Sequence, residues 1–330
     1  MAGGTGIDQI PPRPSRLGAL LRRWGEFVKF SHTVFALPFA LAAMALAARE
    51  HQGWPGWKTF LLILAAMITA RTCAMAFNRI ADRQFDADNP RTANRDLPAG
   101  RISLFSAWSL CLLSGLGFLA ASWGIDMVRA EDHHPDRMVC LTLAPVALFI
   151  TCFYSVTKRF TSYTHLALGL SLALAPVGAW LAVRGDFEIL PAATEAFPIL
   201  ILAFAVIFWV TGFDIIYALQ DYEFDKDNDL HSLIVAWGPR NALKASLLAH
   251  TLMFALLVLF GPVLAGFRLG FLIGLLIILF CLALEHWIAR KRGTKWAAKA
   301  FFKVNAVISM VFLTAVLAEV IFPEFCKSRW

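Results

Sequence analysis

The chain has 330 residues, of which 58% are hydrophobic and 16% are charged. This balance is far from that of a soluble globular domain and close to that of a polytopic membrane protein. The net charge of +7 needs no nucleic-acid partner to explain it, because basic loops beside anionic lipid headgroups commonly carry such an excess.

Nine apolar runs along the chain are long enough to cross a bilayer. A membrane-spanning helix needs roughly 18 residues to cross a hydrocarbon core of about 30 Å. The runs lie near residues 31–48, 58–77, 103–123, 139–156, 164–183, 197–217, 241–260, 268–288 and 297–321. We therefore predict an all-α integral membrane bundle of about nine transmembrane helices.

The segments that flank these runs are short, which predicts a single membrane domain. Residues 1–29, which include "PPRPSR", are expected to form a cytosolic N-terminal tail, residues 30–322 the membrane domain, and residues 323–330 a C-terminal tail. A signal peptide is the alternative for residues 1–48. The charged region before the first apolar run is about 30 residues long, which suits a first membrane span better.

Lys and Arg are distributed unequally between the two sides of the predicted bundle. With nine spans, the N-terminal tail and the loops on its side carry 20 of the 30 basic residues, and the opposite side carries eight. The remaining two, Arg71 and Lys303, lie inside spans. The positive-inside rule therefore predicts a cytoplasmic N-terminus in a cell inner membrane, with the even-numbered loops on the same side.

The second span leads directly into the acidic segment "AMAFNRIADRQFDADNPRTANRDLPAG", residues 74–100. Asn78, Asp82 and Asp86 are spaced i, i+4 and i+8, so they stack on one face of a helix. Three oxygen-bearing side chains are thus expected to point the same way at the cytoplasmic membrane border.

A second acidic segment, "GFDIIYALQDYEFDKDNDLHSL", closes the sixth span. Asp214, Tyr217, Asp221 and Asp225 follow the spacing i, i+3, i+7 and i+11, which again describes one helical face. Both segments follow even-numbered spans into the same compartment. The pattern predicts two half-sites that face each other across a cavity.

Carboxylates at a membrane border are costly unless they have a function or a counter-charge. Facing carboxylates raise each other's pKa unless a cation lies between them. Oxygen ligands without His or Cys favour a hard cation, and Mg²⁺ leaves positions for phosphate oxygens. The two segments therefore predict a Mg²⁺-bridged diphosphate site. The cysteines offer no C-x-x-C pair that would indicate a redox or metal motif.

Basic residues on the same face are candidates for binding the phosphate oxygens that the metal leaves free. They are Arg83, Arg91, Arg95, Lys158, Arg159 and His231. Arg71 is different, because it lies inside the second span, two turns before Asn78 on the same face. A buried guanidinium needs an anion, which is either one of the acids or the carboxylate of a substrate.

Together with the connecting "YSVTKRFT", the segments "NRIADRQFD", "NPRTANRDLPAG" and "DIIYALQDYEFD" resemble the UbiA superfamily of intramembrane aromatic prenyltransferases, most closely its 4-hydroxybenzoate polyprenyltransferase-like members. The likeness extends from "KFSHTVFALPFAL" through the ninth span. It implies nine helices around a central cavity, a cytoplasmic-facing active site, and two Mg²⁺ ions that bind a polyprenyl diphosphate.

The resemblance also implies roles for individual residues. Asn78, Asp82, Asp86, Asp221 and Asp225 match the metal-binding positions, and Asp214 and Tyr217 complete the second motif. Tyr154 and Tyr217 match positions whose rings could stabilise an allylic carbocation and whose hydroxyls could reach phosphate. One departure is visible, because the usual Asn-Asp pair is Asn78-Arg79 here.

The implied reaction is Mg²⁺-dependent transfer of a polyprenyl group to the ring of an aromatic acid, with 4-hydroxybenzoate as the favoured acceptor, in ubiquinone biosynthesis. A naphthoate acid of menaquinone biosynthesis suits the same cavity. A secondary transporter would also place acids and an Arg in its spans, but nearer the membrane midplane. A CDP-alcohol phosphotransferase is a weaker rival, because its D-G-x-x-A-R motif does not occur in the chain.

Overall fold

The computed structural model describes residues 23–29, 33–131, 138–185, 197–264, 269–291 and 293–322. The described ranges contain helices and no strand. We number the helices in chain order as α1 Thr33–Ala47, α2 Trp57–Ala81, α3 Arg83–Asp88, α4 Leu104–Glu131, α5 Val139–Thr157, α6 Thr164–Arg184, α7 Phe197–Ala218, α8 Tyr222–Asp227, α9 Leu233–Leu264, α10 Leu269–Lys291 and α11 Gly293–Ile321.

Eight of these helices are long and apolar enough to cross a membrane, and α1 is a shorter apolar helix. The eight are α2, α4, α5, α6, α7, α9, α10 and α11. Together with α1 they correspond to the nine predicted runs, so the prediction of an all-α polytopic membrane bundle is confirmed. The predicted C-terminal tail and residues 1–22 of the predicted N-terminal tail lie outside the described residues.

Two helices extend well beyond their predicted spans. Helix α4 runs to Glu131 rather than ending near residue 123. Its last turns carry Asp126 and Arg129, which are both buried and form an ion pair of 3.0 Å. Helix α9 begins at Leu233 instead of near residue 241 and is kinked at Gly238, whose φ of 75° is accessible mainly to glycine.

Each acidic segment contains a break between two helices. Helix α2 ends at Ala81 and α3 begins at Arg83, with Asp82 between them. Helix α7 likewise passes through a 3₁₀ turn, Leu219–Asp221, before α8. Such tightened turns are frequent at helix termini and connections. Across the first break, the Asp86 N–H still donates to the Asp82 carbonyl at 2.7 Å, so the two side chains remain one turn apart.

The helices pack into two connected groups around a cavity. Helix α2 packs on α4, and α5 joins this pair to α6. Helix α6 packs on α1 and α7, while α7 contacts α9, and α11 contacts α1 and α10. A cavity of about 540 Å³ lies between α2, α5, α6 and α7, and its wall is mainly apolar.

A buried polar network ties three helices of the second group together. Asn305 on α11 is fully buried, donates to Glu285 on α10 at 2.9 Å, and accepts from the Trp209 indole on α7 at 2.8 Å. Hydrogen bonds within a bilayer fix helix positions because the lipid offers no competing partner. The network holds α11 against α7, and thereby places Phe301 of α11 in the wall of the cavity.

At the end of the bundle opposite the acidic segments, buried side chains cap helices. Asp126 accepts the backbone N–H groups of Cys140 and Leu141 at 3.2 and 2.8 Å, which satisfies donors at the start of α5. Arg129 donates to the carbonyl of Leu181 near the end of α6 at 3.0 Å. The buried pair thus joins α4, α5 and α6 at this end of the bundle.

Candidate active site

The structure brings the two acidic segments together. Arg91, in the loop after α3, donates from Nε to Asp221 Oδ1 at 2.7 Å and from Nη2 to Asp221 Oδ2 at 2.6 Å. Asn89 also lies 3.5 Å from Asp221 Oδ1. Arg91 and Asp221 are 130 positions apart in sequence. This two-pronged contact is the geometry in which Arg binds a carboxylate most strongly, so it fixes one segment against the other.

Asp82 is buried between α2 and the loop after α5. Its Oδ2 accepts from the Asn78 amide at 3.1 Å and lies 3.4 Å from Lys158 Nζ. Burial raises the pKa of Asp82, and the charge of Lys158 opposes that increase. Its other oxygen, Oδ1, is buried and has no hydrogen-bond partner in the described part of the chain. A buried carboxylate oxygen without a partner is unfavourable and suits a bound cation.

Asp86 is buried and paired with an arginine of the following loop. Arg95 Nη1 lies 2.7 Å from both carboxylate oxygens of Asp86. The hydroxyl of Thr92 donates to the Asp86 backbone carbonyl at 3.1 Å, which anchors this loop to α3. The loop "NPRTANRD" therefore supplies one cation to each acidic segment, Arg95 to the first and Arg91 to the second.

Asp214, Tyr217 and Asp225 complete the second segment. Asp214 lies 2.7 Å from Nδ1 of His165 on α6, and it lines the cavity. The Tyr217 ring also lines the cavity, where it packs 5.5 Å from the ring of Phe301. Asp225 is half-buried and close enough to Asp221 and Lys158 for electrostatic interaction. No hydrogen bond from the described residues reaches its carboxylate.

The predicted basic residues differ in their positions. Lys158 and Arg159 follow α5 and lie 5.7 and 5.6 Å from the ring of Phe85. The Lys158 carbonyl accepts the N–H of His231 at 2.7 Å, which joins this loop to the loop after α8. Arg83 is exposed on α3, and within the described ranges it makes no contact with the acids. The structure thus gathers Lys158 and Arg159 at the site and leaves Arg83 in solvent.

Arg71 and Tyr154 lie in the wall of the cavity, below the acids. Arg71 donates from Nη2 to the Lys29 carbonyl at 3.4 Å, and its buried Nε has no hydrogen-bond partner in the residues described. No carboxylate of the described residues lies within ion-pair distance of Arg71. The sequence left two anions open for Arg71, an acid of the segments or a substrate carboxylate, and in the structure neither Asp82 nor Asp86 pairs with it.

The donor set of the site suits a hard cation. The side chains that meet here offer carboxylate and amide oxygens, which Mg²⁺ prefers, and Asp82 Oδ1 is available. Among the described residues no three acidic, His or Cys side chains form a ready-made metal cluster. Lys158, Arg95 and Arg91 each pair with one carboxylate. Asp82, Asp86 and Asp221 are thus each paired with a cation that a bound metal could replace.

Three residues at the site were not identified from the sequence. His165 pairs with Asp214, Asn89 contacts Asp221, and the Phe301 ring packs against the Tyr217 ring. Asn89 lies within the first acidic segment and could have been found there. The other two lie on distant apolar helices, where no local pattern distinguishes a site residue from a packing residue.

Comparison with known proteins gives a consistent set of matches. The UbiA prenyltransferase family matches residues 36–307. The 4-hydroxybenzoate octaprenyltransferase of Pseudomonas aeruginosa (strain LESB58) is 30% identical over 267 residues, which cover 80% of this chain and 82% of that protein. The enzyme of the same name from Francisella tularensis subsp. tularensis (strain WY96-3418) is 27% identical over 282 residues, covering 85% and 89% of the two chains.

Solved structures agree with the sequence matches. The apo structure of a UbiA homolog from Aeropyrum pernix K1 superposes with a TM-score of 0.73 and 29% identity, and the match covers 88% of this chain and 98% of that chain. A UbiA homolog from Archaeoglobus fulgidus, bound to DMAPP and Mg²⁺, shares the fold with a TM-score of 0.64 and 21% identity over 91% and 99% of the two chains.

Proposed function

Because this chain belongs to the UbiA prenyltransferase family, we propose that it transfers a polyprenyl group from a polyprenyl diphosphate to the ring of an aromatic acid, with 4-hydroxybenzoate as the favoured acceptor. The observation that carries the proposal is the meeting of two acidic segments at the mouth of a large apolar cavity. The 4-hydroxybenzoate octaprenyltransferases that resemble the chain support this choice of acceptor and a role in ubiquinone biosynthesis.

The diphosphate end of the donor belongs at the acids. Asn78, Asp82, Asp86, Asp221 and Asp225 would hold Mg²⁺, since all five offer oxygen ligands and Asp82 Oδ1 has no other partner in the described chain. When bound, Mg²⁺ would neutralise the charge that develops on the departing diphosphate. The DMAPP- and Mg²⁺-bound structure of the Archaeoglobus fulgidus homolog supports this cofactor.

Two kinds of anion are available to the basic residues of the site, the carboxylates and the diphosphate of the donor. Lys158, Arg91 and Arg95 neutralise Asp82, Asp221 and Asp86 in the structure described here. The diphosphate is itself an anion with several acceptor oxygens. If the carboxylates held Mg²⁺, these basic side chains would be free to bind the diphosphate oxygens. Arg91, Arg95 and Lys158 would then hold the leaving group in one orientation.

The cavity accommodates the prenyl chain and protects the reaction from water. Its wall follows α5 from Cys140 to Tyr154, a rise of about 21 Å at 1.5 Å per residue. A long hydrocarbon chain is stabilised there by apolar contacts, and the absence of water protects an allylic carbocation. The faces of Tyr154 and Tyr217, both in the wall, would stabilise that cation by cation–π attraction.

Arg71 supplies a contact for the acceptor. It lies in the cavity wall, and it makes no ion pair with any acid of the described chain. The carboxylate of an aromatic acid matches its planar donor face, and binding there would place the ring inside the cavity, near the allylic carbon. Asp214 and Tyr217 would line the same space.

The proposal also includes orientation. We place the protein in the cell inner membrane, with the N-terminus and the acidic segments in the cytoplasm and residues 30–322 as one prenyltransferase domain, on the basis of the Lys and Arg distribution. The water-soluble aromatic acid would then enter from the cytoplasm, while the prenyl diphosphate would enter from the lipid.

A direct test is to incubate membranes that contain the protein with a labelled polyprenyl diphosphate, Mg²⁺ and a panel of aromatic acids. We expect a ring-prenylated product with 4-hydroxybenzoate, and membranes without the protein serve as the control. A product formed only with a naphthoate acid would reassign the acceptor within the same chemistry. No product with any aromatic acid would refute the proposed function.

A further inference from the structure

His165 is a buried histidine to which the proposed reaction has so far assigned no role. It lies in the first turn of α6, is 1% exposed, and its Nδ1 lies 2.7 Å from Asp214 Oδ2 on α7. Its Nε2 is buried and has no hydrogen-bond partner among the described residues. Because a carboxylate only accepts hydrogen bonds, the ring hydrogen of His165 belongs on Nδ1. The His165 side chain therefore makes one hydrogen bond in the described chain, to the Asp214 carboxylate.

Close helix contacts fix the part of α7 that carries Asp214. Gly169, one turn after His165, packs so closely on α7 that a Cβ there would lie 2.6 Å from a backbone carbonyl oxygen of α7. Toward α9, a Cβ at Gly212 would lie 2.2 Å from the His250 ring. Neither position has space for a side chain, so α7 is tightly packed between α6 and α9. The backbone of Asp214 is thereby fixed, and His165 fixes its side chain.

The Asp214 carboxylate faces the cavity. Asp214 lines the cavity wall, its side chain is 22% exposed, and no described residue other than His165 hydrogen-bonds to it. Asp214 precedes Asp221 by seven residues, so it lies about 10 Å deeper along α7 at 1.5 Å per residue. Arg71 precedes Asn78 by seven residues on α2 and lines the same cavity. Asp214 and Arg71 therefore lie at a similar depth in the cavity, below the acids that would hold the diphosphate.

We propose that Asp214 accepts the ring proton of the aromatic acid and that His165 is the positioning residue that orients the Asp214 carboxylate. This inference rests on the proposed function and assigns its proton-transfer step. As the ring carbon bonds to the allylic carbon, the C–O bond of the donor breaks and its electron pair leaves with the diphosphate. The ring then carries a positive charge, and the carbon that attacked still holds its hydrogen. That C–H bond breaks, its electron pair restores the aromatic ring, and the proton passes to Asp214.

The arrangement of the cavity wall suits this transfer. With its carboxylate on Arg71, the ring of the acid lies between α2 and α7, at the depth of Asp214. Because Asp214 Oδ2 accepts from His165, Oδ1 is the oxygen left for the substrate. Its negative charge also stabilises the positive ring before the proton leaves, and a positioned base contributes about 10²- to 10⁴-fold to the rate.

The test measures a deuterium isotope effect with the purified full-length protein, Mg²⁺ and a polyprenyl diphosphate. The aromatic acid that the wild-type protein prenylates, 4-hydroxybenzoate in our proposal, is compared with its ring-deuterated form. In the wild-type protein we expect proton loss to follow the slow bond-forming step, so deuterium should not change the rate. Asp214→Asn keeps the shape of the side chain but accepts no proton. Turnover should fall at least about 100-fold with a primary isotope effect, while KM for the prenyl diphosphate stays unchanged.

The role of His165 is tested by two substitutions. His165→Leu removes the donor and should lower turnover about tenfold or more, again with an isotope effect, as for the loss of a charge-assisted hydrogen bond. His165→Asn places an amide donor close to the position of Nδ1 and should restore most of the turnover. Thermal unfolding checks that each variant is folded. Wild-type kinetics in folded His165→Leu protein would overturn the positioning role.

His250→Leu is the matched control, because it removes a buried histidine that contacts the Trp209 carbonyl of α7 and does not line the cavity. It should lower the unfolding midpoint without an isotope effect. An isotope effect in this control would overturn the inference, because the cause would then be general loosening of α7. So would Asp214→Asn turnover that stays near wild type, or that falls without an isotope effect or through a raised prenyl diphosphate KM.

Failure of this inference and failure of the proposed function give different results. If the wild-type protein prenylates no aromatic acid, the proposed function fails and the inference fails with it. If the wild-type protein forms the product but the Asp214→Asn variant gives one of the contrary results, the inference alone fails.

Discussion

The sharpest prediction concerns Arg71, for which two roles were expected. Arg71→Lys keeps the positive charge but removes the planar pair of donors that matches a carboxylate. In the structure Arg71 lies in the cavity wall, its Nε has no partner among the described residues, and no described acid pairs with it. The substitution should therefore leave the acidic segments unchanged and affect the acceptor.

Losing a charge-assisted hydrogen bond costs about 1.5–3 kcal/mol, which lowers kcat/KM for the acceptor by about 10- to 150-fold. The assay measures KM and kcat for the aromatic acid and for the prenyl diphosphate separately, with protein level checked in each membrane preparation. Arg83→Lys is the matched control, because Arg83 is exposed and should leave both substrates unaffected. An unchanged acceptor KM together with a raised diphosphate KM would show that Arg71 serves the metal site and would refute the reasoning.

Three further predictions follow from the same contacts. Asp82→Asn and Asp221→Asn should each lower turnover at least about 100-fold in folded protein, because each removes a proposed metal ligand. Near-normal turnover in both variants would exclude the two-segment site. Asn305→Leu should destabilise the bundle by about 1–2 kcal/mol in a detergent unfolding assay, because it removes buried hydrogen bonds to α7 and α10, and an unchanged midpoint would contradict that role. In a cysteine-free background, a thiol reagent that cannot cross the membrane should label Asp229→Cys from the cytoplasm and His51→Cys from outside, whereas labelling of both from one side would contradict the topology.

Hydropathy and spacing predict much of this fold because they depend on short-range properties of the chain. Apolar runs of the required length predict the membrane helices, and the i+4 spacing of Asp82 and Asp86 survives the helix break between α2 and α3. The break itself could not be predicted, since no Gly or Pro marks it. At the break, the Asp82 carboxylate contacts Asn78 one turn earlier and Lys158 in the loop after α5, and the second of these contacts depends on the tertiary structure.

The pairing of charges at the site was beyond what the sequence indicates. Spacing places Asp221 and Arg91 on the same side of the membrane, but the choice of Arg91 for Asp221 and of Arg95 for Asp86 depends on how two distant segments dock. The same limitation applies to residues 23–29. Their sequence indicates part of a basic tail, and the packing of Phe27 against side chains of α2 and α4 depends on tertiary contacts.

Formation of a carbon–carbon bond by the purified protein tests the central claim most directly. The protein in detergent is incubated with a polyprenyl diphosphate, 4-hydroxybenzoate and Mg²⁺, and the acid is then analysed by mass spectrometry. Two control reactions run in parallel, one with a chelator and one with the double variant Asp82→Asn/Asp221→Asn. The account predicts a ring-prenylated acid in the complete reaction, and at least about 100-fold less in the other two. Equal product in the double variant, or transfer that survives complete removal of Mg²⁺, would contradict it.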